Sequence, residues 1–306
     1  MEPTRPPVSC DHVAAARGSF ATARQPGNEH IQATMADIAQ GHGFAQVLGA
    51  SLYYEISGIG EPIVLVHAFS LDSRMWDGQV GALSQAHQVI RCDLRGFGRS
   101  SPGREPYTNA DDLMGLLRHL GLSRVTLMGL SMGGGAVINF ALTYPSAVRA
   151  LILVDSTLGG FSFSSEFNAA LAAVRTAAKE RGVGAARALW LTSPVWATAM
   201  TRPSVAAQLR TMIEEYSGWH WLNPDVGKAL TPPAISRLNE IRAPTLIVVG
   251  ELDAPDFRNI ADILQRGIPG SKSVVLQGAG HVPNLKRPDL FNQAVLQFLE
   301  DISSSA

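Results

Sequence analysis

Apolar residues along this chain follow two rhythms. From about residue 43 to 157, and again from about 236 to 301, short apolar runs alternate with stretches of helical spacing. The runs 62–67 (PIVLVH), 124–129 (RVTLMG), 149–155 (RALILVD) and 244–250 (PTLIVVG) are nearly unbroken, the pattern of strands covered on both faces. Shorter strand-like runs fall at 88–93 and 273–276. The segments 44–48 and 52–56 flank Gly49-Ala50-Ser51 and predict a β-hairpin. Helical spacing covers 110–120 up to Gly121, 132–144 up to Pro145, 258–267 and 290–299. Strands alternating with helices predict an α/β fold, a mostly parallel central sheet with helices on both faces.

Between 158 and 235 the rhythm changes. Helical stretches at 167–181 and 204–216 are the clearest elements, and no convincing strand interrupts them. Four of the five tryptophans fall here: Trp190, Trp196, Trp219 and Trp221. We read 158–235 as a helical cap or lid inserted into one α/β core made of 41–157 and 236–301. Residues 1–40 lack periodicity and mix Pro, Arg, Gly, Ala and polar residues, which predicts a disordered N-terminal extension. Met35 could open the native chain.

Composition narrows the function classes. The 306 residues are 46% hydrophobic and 17% charged, enough apolar material for a large core. A formal net charge of -1 without a basic run argues against a nucleic-acid partner. No apolar run is long enough to span a bilayer, and the first 30 residues lack the apolar stretch of a secretory signal, so no membrane partner is expected. Cys10 and Cys92 make no disulfide framework; free thiols point to a reducing, cytoplasmic setting. No ligand cluster calls for a metal, and no motif calls for a cofactor. Nothing in the sequence sets an oligomeric state.

The chemistry is concentrated at Gly129-Leu130-Ser131-Met132-Gly133, a G-x-S-x-G motif. Three such residues alone are weak evidence, but here the motif ends an apolar strand and opens a helix. That setting holds Ser131 in a tight strand-to-helix turn whose flanks come too close to neighbouring backbone for a Cβ. The helix from Met132 also aims its unpaired N–H groups at the site. One oxyanion donor is therefore expected to be the backbone N–H of Met132.

Together with Val66-His67-Ala68-Phe69, Asp93-Leu94-Arg95-Gly96-Phe97-Gly98-Arg99-Ser100, Gly250-Glu251-Leu252-Asp253 and Gly278-Ala279-Gly280-His281, the motif makes the chain resemble the α/β-hydrolase superfamily from about 43 to 300. It is most similar to the small serine esterases, enol-lactonases and cofactor-free haloperoxidase-like members. The resemblance implies the triad order Ser131, Asp253, His281. His281 follows the last predicted strand in a Gly-rich loop, and the other seven histidines (His12, His30, His42, His67, His87, His119 and His220) sit less suitably. Asp253 lies three residues beyond the run 244–250, at the strand edge where sites gather in open α/β sheets. Asp155, which ends the preceding strand, is the competing acid, because some members of the superfamily place it there; Glu251 is a weaker neighbour. The second oxyanion donor implied is the backbone N–H of Phe69. Many relatives carry Gly where this chain has Ala68. The 93–100 segment is expected to be a structural turn whose Asp and Arg brace neighbouring loops. Ser at 131, where dehalogenase and epoxide-hydrolase relatives carry Asp, argues against an alkyl-enzyme.

The expected activity is hydrolysis of a small-molecule carboxylic ester or lactone through an acyl-enzyme. C–C bond hydrolysis of a β-diketone-type substrate and perhydrolase or haloperoxidase chemistry would use the same triad. A ligand receptor on a hydrolase fold is the non-enzyme alternative. Trp190, Trp196 and Trp219 are candidate lining residues of the substrate pocket, and Trp221, Phe161, Phe163, Phe167 and Met200 could share that lining; packing of lid helices on the core is the equal alternative for all of them. Arg175, Arg187, Arg202 and Arg210 could each meet a substrate carboxylate, with an ordinary surface position the simpler reading for each.

Overall fold

The computed structural model describes residues 40–103, 105–224 and 226–304. The expected N-terminal extension lies outside these residues except for Gln40, which opens the first strand. Cys10, His12, His30 and Met35 lie outside them too.

Among the described residues, eight strands form one sheet in the order β1-β2-β4-β3-β5-β6-β7-β8. They are β1 (Gln40–Val47), β2 (Ala50–Ser57), β3 (Glu61–Val66), β4 (His87–Cys92), β5 (Val125–Leu130), β6 (Val148–Val154), β7 (Thr245–Gly250) and β8 (Lys272–Leu276). β2 runs antiparallel to both β1 and β4, and every other pairing is parallel. The unbroken apolar runs become the sheet interior: every residue of β5 and of β7 is buried. β8, at the edge, has mixed exposure.

The helices are α1 (Asp77–Leu83), α2 (Asn109–His119), α3 (Met132–Thr143), α4 (Ser165–Arg181), α5 (Val183–Leu191), α6 (Ala197–Met200), α7 (Pro203–Glu215), α8 (Trp219–Leu222), α9 (Pro255–Gly267), α10 (Pro283–Lys286) and α11 (Pro288–Ser304). Their starts follow local chemistry. Thr108 caps α2 by accepting from Asp111 N, Ser164 caps α4 by accepting from Phe167 N, and proline opens α7 and α9. α4 to α8 all fall between β6 and β7.

The hairpin differs from its sequence reading by one step. The turn is Leu48-Gly49, while Ala50 and Ser51 already pair in β2 with Val47 and Gln46. Gly49 has φ +71, so the turn closes where the left-handed residue is available.

Candidate active site

Ser131 sits between β5 and α3 at φ 55, ψ -115, a conformation that non-glycine residues rarely adopt. The strain is held in place by hydrogen bonds. Ser131 N donates to Val154 O at 2.9 Å, and Thr157 N and Gly135 N donate to Ser131 O at 2.9 and 3.1 Å. The motif glycines explain how the turn fits. A Cβ on Gly129 would lie 2.3 Å from Gly133 O, and one on Gly133 would lie 2.3 Å from Val66 O.

The sheet order then brings the chemistry together. β5, β6, β7 and β8 are parallel neighbours, and Ser131, Asp155, Asp253 and His281 all follow their C-terminal ends. His281 Nε2 is 2.9 Å from Ser131 Oγ, and His281 Nδ1 is 2.9 Å from Asp253 Oδ2. Ser131, Asp253 and His281 are all buried. Asp253 Oδ1 accepts from Ala254 N at 2.7 Å, so both carboxylate oxygens face donors. Phe257 packs its ring 4.1 Å from that of His281, and Trp196 lies at 6.1 Å. Glu251 braces the histidine loop: its Oε2 accepts from Gly278 N at 2.9 Å.

Asp155 is bonded otherwise. It is buried at φ 38, and its Oδ1 accepts from Gly250 N at 2.9 Å. Its Oδ2 is buried without a donor. Burial pushes the Asp155 carboxyl well above the usual carboxylate range, and the nearby Asp253 carboxyl pushes it further. No hydrogen bond joins Asp155 to His281.

The loop after β3 supplies the facing wall. Neither Phe69 N–H nor Met132 N–H has a protein acceptor among the described residues, and both residues line the cavity that holds Ser131. Ser70 keeps the loop in shape at φ 62, with its Oγ accepting from Trp190 Nε1 at 2.6 Å. His67 is a structural residue of the same loop: Nε2 accepts from Leu94 N, which leaves Nδ1–H to donate to Ala68 O, each at 2.8 Å.

The 93–100 segment braces loops, as its sequence suggests. Asp93 accepts from Ser73 N and Arg99 N at 2.7 and 2.8 Å, and Arg95 makes a buried two-pronged pair with Asp112. A polar cavity of about 290 Å³ next to it carries Glu55, Asp72, Arg74 and Glu215, whose charges pair locally. No group of His, Cys, Asp and Glu among the described residues is arranged to hold a metal ion.

The Ser131 cavity measures about 230 Å³ and is lined mainly by Phe163, Phe167, Leu171, Trp190, Val195, Trp196, Trp221 and Phe257. Trp190 and Trp196 line the cavity that holds Ser131. Trp219 does not: it lines a neighbouring cavity, and Trp221 takes its place. Two residues along a helix turn the side chain by about 200°, so only one of the pair in α8 can face Ser131. Phe257 and Thr157 were not singled out by sequence. Phe257 belongs to the strongly amphipathic α9, whose buried face also holds Ile260, Ala261 and Leu264, so the periodicity could have flagged it.

Comparison with known proteins places these features in company. A model of the "Alpha/beta hydrolase family" matches residues 63–294. A thermophilic esterase from Thermogutta terrifontis superposes with a TM-score of 0.75 at 32% identity, covering 86% of this chain and 99% of its own. The enol-lactonase from Burkholderia xenovorans LB400 superposes with a TM-score of 0.72 at 28% identity, covering 84% and 100%. The 2-hydroxy-6-oxononadienedioate/2-hydroxy-6-oxononatrienedioate hydrolase of Paraburkholderia phymatum is 29% identical over 264 residues, 81% of this chain and 90% of that protein.

Proposed function

The chain belongs to the alpha/beta hydrolase family, and we propose that within it the protein is a serine hydrolase that cleaves a carboxylic ester or lactone through an acyl-enzyme. One observation carries this reading: the unbroken hydrogen-bonded line Ser131 Oγ, His281 Nε2, His281 Nδ1, Asp253 Oδ2, with Ser131 facing an apolar cavity. A serine hydroxyl is a poor nucleophile at neutral pH and needs such a base.

On this reading His281 Nε2 takes the Ser131 proton as Oγ bonds to the substrate carbonyl carbon. The carbonyl oxygen becomes negative and is met by Phe69 N–H and Met132 N–H, donors worth a few kcal/mol each when so preorganised. His281 returns the proton to the departing alkoxide, and the alcohol leaves. Water, deprotonated by His281, then attacks the acyl carbon; the proton returns to Ser131 Oγ and the acid is released. Asp253 fixes the tautomer with the proton on Nδ1 and stabilises the imidazolium. The helices of 158–235 act as a lid whose aromatic residues hold the acyl or alcohol group. The buried thiol of Cys92 suits a cytoplasmic location.

The test is turnover of short esters with Ser131→Ala as control. Hydrolysis should fall by about 10³-fold or more in the variant, and a fluorophosphonate should label Ser131 in the unaltered protein. Absence of both turnover and labelling would refute the enzyme reading and favour a receptor.

A further inference from the structure

We propose that the Ser131 site takes esters or lactones bearing a carboxylate remote from the scissile bond, and that Arg175 of α4 binds this carboxylate. The proposal rests on the hydrolase reading for the reaction but on separate observations for the anion.

The first is the shape of the space around Ser131. A second cavity, about 370 Å³, adjoins the Ser131 cavity, and the two share Phe69, Met132 and Arg175 in their walls. Phe69 and Met132 carry the two N–H groups that face the substrate carbonyl oxygen in the proposed reaction. A substrate held there with its tail directed past them comes to Arg175.

The second is charge. No Asp or Glu among the described residues lines either cavity, whereas Arg175 lines both and Lys228 lines the second. Arg175 has no hydrogen bond or ion pair among the described residues, and Lys228 has no ion pair. The other lid arginines are engaged or distant. Arg187 donates to Tyr216 O, Arg202 donates to Lys286 O, and Arg181 and Arg210 line neither cavity. Of the four arginines that could have met a carboxylate, Arg175 alone combines an open fork with a place in the Ser131 cavity. A guanidinium fork matches a carboxylate with two parallel N–H···O bonds.

A third observation concerns Asn139, which lines the second cavity with its Oδ1 buried and without a donor. A carboxylate has no proton to give that atom, so water held beside a charged tail is what supplies the donor. The second cavity, beyond the oxyanion wall, is thus the more polar of the two and carries Arg175 and Lys228.

Two esters with acyl chains of equal length decide the matter: monoethyl adipate, which carries a remote carboxylate, and neutral ethyl hexanoate. At low ionic strength the protein should favour the adipate ester by about tenfold or more in kcat/KM. Arg175→Met should abolish that preference mainly through KM and leave ethyl hexanoate within about threefold. Because Arg175 is exposed, the preference should also shrink as salt rises toward about 0.5 M. Ser131-dependent turnover of both esters without a charge preference, or an equal loss on both in Arg175→Met, would overturn the anion site and leave the hydrolase reading intact. If neither ester is turned over, calorimetry of monoethyl adipate binding to the Ser131→Ala protein decides: binding lost on adding Arg175→Met supports the site, and no difference overturns it.

Discussion

Asp155 and Asp253 end neighbouring parallel strands, and their side-chain bonding separates them. Asp253 has an N–H partner on each oxygen, one of them His281, as an ionised carboxylate requires. Asp155 has one N–H partner and a buried oxygen that only a proton can satisfy. On the proposed mechanism Asp253→Asn should cost on the order of 10⁴-fold in kcat, because an amide holds the wrong His281 tautomer. Asp155, which does not touch His281, should not rescue it; residual activity within about tenfold of the unaltered protein would transfer the acid role to Asp155. Asp155 also makes a stability prediction. Its raised pKa means that the folded protein keeps a proton that the unfolded chain has released above about pH 4. Stability is therefore lost as pH rises from there toward the folded value, with a slope of up to about 1.4 kcal/mol per pH unit. Asp155→Asn keeps an acceptor for Gly250 N and has no proton to lose in this range. The difference in melting temperature, variant minus unaltered protein, should become more positive from pH 4.5 to pH 8. A difference that stays flat would mean that Asp155 is ionised in the fold.

At the scale of elements, the tightest constraint is the β5-turn-α3 unit. A Cβ at Gly133 would meet Val66 O at 2.3 Å and His67 O at 2.6 Å, backbone atoms of the strand that carries the Phe69 loop. Gly133→Ala must push α3 away from that loop, and should lower unfolding free energy by about 2–4 kcal/mol in urea and reduce ester turnover more than tenfold. An unchanged midpoint and rate would show that the loop has slack that the distances deny. The same unit explains what the sequence made legible. β3, β5, β6 and β7 announce themselves because burial on both faces leaves an unbroken apolar run, and the G-x-S-x-G context follows from two of those runs' neighbours. The sheet order brings Ser131, His281 and Asp253 into one hydrogen-bonded line, each link 2.9 Å. Short helices such as α1 and α10 escaped notice because seven and four residues cannot display a helical period. The facing of α8 escaped for the same reason, so Trp219 and Trp221 could not be told apart. Asp155 and Asp253 stayed open because strand ends fix proximity, while hydrogen-bond direction depends on side-chain geometry.

For the whole molecule the open question is whether 158–235 is a separable lid or part of one core. The sequence marks it by rhythm, since strands stop at 158 and resume near 244, but rhythm says nothing about how it is joined. Its residues Val174, Trp190, Trp196, Leu209 and Trp221 lie in one continuous buried apolar cluster with sheet and loop residues such as Leu130, Ala68 and Val282. Polar ties cross the same boundary: Trp190 to Ser70, Ser164 to Asp256, Gln208 to Arg74 O, and Lys286 to Thr198 O. A lid attached through a shared apolar core and several hydrogen bonds should not melt on its own, because opening it would expose apolar surface of both parts. We therefore expect one cooperative transition in denaturant. Tryptophan fluorescence reports mostly on 158–235, which holds four of the five tryptophans, while far-UV circular dichroism reports on helices throughout the chain. The two midpoints should coincide. Substrate entry would then use local movement of short elements such as α6 and α8, four residues each, rather than release of the lid as a body. A fluorescence transition that precedes the dichroism change would instead make 158–235 an independently opening unit, and ester turnover should then fail at the lower of the two midpoints.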